Sequence, residues 1–149
     1  MLTRAQIDFY NTNGFLAVEG VYSHAEMKEA RAVVEEFVER SRAVTAHTDV
    51  FDLEPGHSAA EPRVRRIKSP YLHHPIFDGL VRQERMLDVV AALIGPGIRL
   101  HGNKLNMKSA GYGSAVEWHQ DLAFYPHTND DILAVGVALD TASSRTAAC

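Results

Sequence analysis

The sequence predicts an α+β domain, or a β-barrel buttressed by helices, because helical signals come first along the chain and strand signals later. Two capping boxes, Thr3 to Gln6 and Ser23 to Glu26, open helices near the start. Polar and apolar residues alternate strictly over 103–108, and 131–140 is an apolar run, so both stretches call for extended backbone.

The first helix should be short and end near Asn13-Gly14, where glycine can take the left-handed cap. Residues 15–18 (Phe, Leu, Ala, Val) then read as a brief strand. The second helix should run to about Arg42, with Met27, Ala30, Val34, Phe37 and Ser41 on one face as core packing. Residues 43–62 have no clear period and contain Pro55-Gly56, which predicts a surface loop or lid. Arg63, Arg65, Arg66 and Lys68 interleave with Val64 and Ile67, as expected of an edge or partly exposed strand. Residues 75–94 give two short helices, and Gly95-Pro96-Gly97 stops the second. On the 103–108 strand, Lys104, Asn106 and Lys108 share one face, and Leu105 and Met107 the other. Gly111 and Gly113 make a loop, 116–122 can be extended, and 131–140 should be an apolar strand.

Composition narrows the function classes. The 149 residues fit one domain, with hydrophobic and charged fractions (46% and 23%) ordinary for a globular protein. A net charge of -4 does not favour a nucleic-acid partner. Cys149 is the single cysteine, so neither an internal disulfide nor a thiolate metal cluster can form. The opening MLTRAQIDFY lacks the basic and apolar regions of a secretory leader, and no apolar run reaches the ~18 residues of a membrane span. A cytoplasmic protein without a membrane partner is the expectation. A hydrolase finds no support, because Ser109 and Ser114 lack a nucleophile-elbow context.

His119-Gln120-Asp121 is the motif with chemical content. On extended backbone, positions two apart project from one face, so the imidazole and the carboxylate can aim at one point. These are two members of the 2-His-1-carboxylate triad of non-heme Fe(II) oxygenases. Taken alone the spacing is weak: His47-Thr48-Asp49 also matches it, but in the irregular loop, where a solvated polar pair is expected. An ordinary hydrogen-bonded His/Asp pair is the competing reading at 119–121. His73, His74, His101 and His127 read as surface or structural residues.

Context adds to the spacing. The strand NKLNMK, the loop SAGYGS, the motif WHQDLAFYP and the apolar run DILAVGVALD together resemble the phytanoyl-CoA dioxygenase family. The opening TRAQIDFYNTNGFLAVEGVYSHAEM resembles the start of these proteins, so the likeness extends to about Asp140. The resemblance implies a double-stranded β-helix (jelly roll) with N-terminal helices packed outside. It implies Fe(II) held by His119 and Asp121, with 2-oxoglutarate as cosubstrate and O2 as oxidant. It further implies Lys104, Asn106, Val137 and Arg66 beside 2-oxoglutarate, and Phe124 and Tyr125 facing a small-molecule substrate. Hydroxylation of an unactivated C–H, coupled to decarboxylation of 2-oxoglutarate, is the implied reaction. Asp121 argues against halogenation, which in relatives uses a small residue at that place.

The resemblance stops after Asp140, and the small, polar ending TASSRTAAC reads as a non-native tail over 141–149. The second iron-binding histidine and the arginine that grips the far carboxylate of 2-oxoglutarate have no counterpart in the sequence. The expectation is an incomplete barrel and an inactive fragment. The alternative is a non-catalytic remnant or partner-binding module without metal.

Overall fold

The computed structural model describes residues 1–109, 111, 113–125, 127–129 and 131–141. Helices α1 (Arg4–Asn13) and α2 (His24–Ser41) come first. Strands β1 (Phe51–Leu53) and β2 (Val64–Lys68) come next, then helices α3 (Pro75–Val81) and α4 (Glu84–Ile94), and last strand β3 (Lys104–Asn106). The strands make an open antiparallel sheet in the order β1-β2-β3. No helix among the described residues is long and apolar enough to cross a membrane.

Local chemistry sets the helix ends. The Thr3 hydroxyl accepts the Gln6 N–H at 3.3 Å, and the Gln6 amide oxygen accepts the Thr3 N–H at 2.8 Å. Gly14, at φ 78°, closes α1 through its N–H to the Tyr10 carbonyl. Ser23 and Glu26 repeat the box at α2, with N–H contacts of 3.2 and 2.6 Å. These caps answer donors that a helix start otherwise leaves without partners. The His74 Nδ1 accepts the Ile76 N–H at 3.2 Å and caps α3, a structural role of the kind expected for it. Gln83 caps α4 in the same way, through the Met86 N–H at 3.1 Å.

The core lies between α2, α3 and one face of the sheet. Ala30, Val33 and Phe37 of α2 meet Phe51 and Leu53 of β1, Val64 and Ile67 of β2, and Phe77 of α3. The expected stripe on α2 is there, although Val33 is buried and Val34 only partly so. In β2 the two core residues Val64 and Ile67 stand three apart, which a regular strand cannot place on one face. A bulge resolves this: Asp52 pairs with Arg66 and Leu53 with Val64, so Arg65 is the extra residue. The insertion restores Val64 to the core side, opposite the face carrying Asp52, Arg66, Lys68, Lys104 and Asn106.

Four expectations are corrected. Residues 15–18 form no strand, because no ladder partner lies beside them among the described residues; Phe15 instead packs edge-on against Phe9 at 5.5 Å. The 43–62 stretch contains β1, whose Phe51 and Leu53 are buried, so it is no simple surface loop. Strand β2 is partly exposed, as expected, and central in the sheet, but with β1 it precedes α3, so helices do not all come first. Residues 131–140 form no strand, and Val135 and Val137 remain exposed. An apolar run marks a strand only when a neighbour supplies its hydrogen bonds. Thr141 is described, whereas the rest of the expected non-native tail lies outside the described residues.

Candidate metal and cosubstrate site

Gln120 has extended backbone (φ -104°, ψ 122°), and this throws the side chains before and after it to one side. His119 Nε2 accordingly lies 3.2 Å from Asp121 Oδ1. Extension then ends at once: Asp121–Ala123 is a turn of 3-10 helix, which corrects the expected extended reach to 122.

The other imidazole nitrogen places one proton of the ring. His119 Nδ1 lies 2.7 Å from the Glu117 carbonyl, which can only accept, so Nδ1 carries the proton. In the neutral ring Nε2 then presents its lone pair, and that lone pair meets a carboxylate oxygen. Two acceptors so close call for a cation between or beside them, either a second proton or a metal. A neutral histidine held through Nδ1–H by a carbonyl is the arrangement that metal-ligating imidazoles use. Imidazole nitrogen and carboxylate oxygen also form a donor set suited to ferrous iron. Among the described residues, no group of three or more His, Cys, Asp or Glu side chains is placed to hold a metal. The donors fit two of three protein positions.

The outer face of the sheet gathers three of the four residues expected near the cosubstrate. Arg66 and Asn106 are cross-strand partners, and Arg66 Nε donates to Asn106 Oδ1 at 3.1 Å. Lys68 and Lys104 are opposite each other on the same face. Like charges placed this way repel. Asp52 offsets part of this, at 3.6 Å from Arg66 and 3.4 Å from Lys68. Three cations to one carboxylate leave the face electropositive.

A model of the phytanoyl-CoA dioxygenase family matches residues 10–149. The chain belongs to this family. Among curated relatives, it is 34% identical over 139 residues to a probable alpha-ketoglutarate-dependent hypophosphite dioxygenase of Stutzerimonas stutzeri, covering 93% of this chain and 48% of that protein. It is 30% identical to an ectoine dioxygenase of Bordetella parapertussis, covering 87% of this chain and 40% of the relative. An L-proline trans-4-hydroxylase of Streptomyces griseoviridis is 27% identical, with coverage of 88% and 47%. The chain therefore spans about half the length of the curated relatives it matches. A phytanoyl-CoA dioxygenase family member is expected to have a jelly-roll-like fold, and the small open sheet with helices outside is what an incomplete barrel would contain.

Other expected residues of this family member are dispersed. Phe124 sets its ring edge against His119, with centroids 5.6 Å apart, and is two-thirds exposed. Tyr125 turns instead toward His101, at 4.8 Å, and His127 approaches the same His101 ring at 5.3 Å. Val137 is 43% exposed, away from the core. At the other matching spacing, His47 and Asp49 are both exposed, as expected of a solvated pair; the Thr48 hydroxyl accepts the N–H groups of Val50 and Phe51, and His47 Nδ1 accepts that of Leu53.

One residue escaped the sequence reading. Glu54, just after β1, is a buried carboxylate at 6% exposure. It accepts the Ser114 N–H at 2.9 Å and also the Ser114 hydroxyl. These bonds hold its carboxyl below the usual range, helped by the Arg65 and Lys108 cations and opposed by burial. A glutamate directly before Pro55-Gly56 looks, in sequence, like any solvated turn residue.

Proposed function

We propose that this chain carries the iron- and cosubstrate-binding part of a Fe(II)/2-oxoglutarate-dependent dioxygenase that hydroxylates an unactivated C–H of a small molecule. The observation behind the proposal is the approach of His119 Nε2 to Asp121 Oδ1 with Nδ1 committed to a carbonyl. His119 and Asp121 would hold the metal, and a third donor would come from outside the described residues. When bound, iron would supply O2 activation coupled to decarboxylation of 2-oxoglutarate. The Glu117 carbonyl keeps His119 in the ligating tautomer. Lys104, Arg66 and Asn106 give a dicarboxylate both charge and hydrogen-bond donors, and Val137 would line the same pocket on a partial jelly roll. Phe124, against the His119 ring, and Tyr125 would border the substrate. The relatives are named for hypophosphite, ectoine and L-proline. A small, charged substrate is therefore the class to screen.

A second reading, a metal-free remnant or partner-binding module, has one observation in its favour: the missing third donor among the described residues. Anaerobic calorimetry with Mn(II) on the 149-residue chain separates the two. The dioxygenase reading expects binding that falls at least tenfold in His119→Ala and in Asp121→Ala. Binding that neither substitution changes, or no binding at all, would favour the remnant.

A further inference from the structure

We propose that Glu54 is a positioning residue that fastens the segment leading into the His119–Asp121 pair to the sheet, a role that rests on reading that pair as the iron site. Ser114 is held from three sides. Its N–H and hydroxyl both go to the Glu54 carboxylate, while its carbonyl accepts from the Lys108 ammonium. Arg65, the extra residue of the β2 bulge, lines the same groove together with Glu54, Lys108, Ser114 and Val116.

The knot matters for the segment beyond it. Residues 115–120 are all exposed, Trp118 at 98%, so beyond the half-covered Val116 in that groove little packing holds the path from Ser114 to His119. Five residues span at most roughly 18 Å. A fixed Ser114 therefore keeps His119 on a short tether from the Glu54 carboxylate, whereas a released Ser114 frees the whole stretch that carries the Glu117–His119 contact. A buried carboxylate needs partners whatever its purpose. This one has spent its partners on the approach to the metal motif.

The test needs no metal. Amide hydrogen exchange and imidazole 15N shifts, which report the tautomer, are measured on the full chain and on Glu54→Ala and Glu54→Gln. In Glu54→Ala, exchange of the Ser114 amide, whose N–H the carboxylate accepts, should accelerate at least tenfold while β1 and β2 keep their protection, and the His119 ring should shift from the Nδ1–H form to a mixture. Glu54→Gln retains an acceptor for the Ser114 N–H and should restore most of both signals. Unchanged exchange at the Ser114 amide, an unmoved His119 tautomer, or protection lost equally throughout β1 and β2 would each overturn the proposal. Mn(II) titration of the unsubstituted chain reports separately on the iron reading. Failure to bind would sink that reading, while exchange and tautomer would still decide whether Glu54 holds the segment.

Discussion

Replacing Phe37 with alanine should remove a large share of the chain's stability, because this ring joins all three parts of the core. Phe37 is 1% exposed, and its ring meets Phe51 of β1 at 6.2 Å and Phe77 of α3 at 6.3 Å, both edge-on. The Arg40 guanidinium covers it at 4.6 Å from the centroid. Removing a buried phenylalanine costs about 3–5 kcal/mol, including the cavity it leaves. Each aromatic pair accounts for about 0.5–1.5 kcal/mol within that figure, so the pairs are not added again. Whole domains are stable by about 5–15 kcal/mol, so the loss takes from about a fifth of the total to all of it. Urea unfolding followed by far-UV circular dichroism is the suitable assay, since Trp118 at 98% exposure would report little by fluorescence. A loss below about 1 kcal/mol would show that Phe37 does not centre the core and that α2 is placed wrongly.

Glu54 predicts a pH dependence. Its folded pKa is lowered by the Ser114 hydrogen bonds, so its stabilisation is present above the unfolded carboxylate pKa of roughly 4.3 and drains as pH falls through the depressed folded value. The urea midpoint gap between the parent chain and Glu54→Gln should therefore narrow on acidification below that point; a gap constant from pH 7 to 3 contradicts the assignment. Ser23→Ala should lose about 1 kcal/mol by removing the α2 cap, read as a lower urea midpoint with an unchanged slope. No shift would mean that the cap is not formed in solution.

The helical part was legible because its signals are local. Thr3 with Gln6 and Ser23 with Glu26 decide the helix starts within four residues, and Gly14 and Gly95 mark the ends. The strand β3 was legible too, since exposure alternates over 104–108 as polarity does. Strand β1 was not, because FDL is only three residues long and owes its state to β2 beside it. The bulge at Arg65 was hidden for the same reason, as register is a property of a pair of strands. At the site, the His119 to Asp121 spacing was readable, and so was the shared face of Lys104 and Asn106. Arg66 facing Asn106 across the ladder, and Glu54 reaching 60 positions to Ser114, belong to tertiary structure and left no local trace.

Arg31 reaches from the middle of α2 to the Leu139 carbonyl, 108 positions along the chain, with the Asp140 carboxylate 3.8 Å away. A helix nucleated locally forms in microseconds or less, but this clasp awaits nearly all of the described chain. The entropy of closing so long a loop grows only logarithmically with its length. The delay is thus chiefly one of search time, as in any topology rich in distant contacts. Between the Ser114 knot and the Arg31 clasp, the stretch bearing the imidazole–carboxylate pair is strung like a bridge deck from two abutments, and its slack is set by the masonry at either end more than by its own residues.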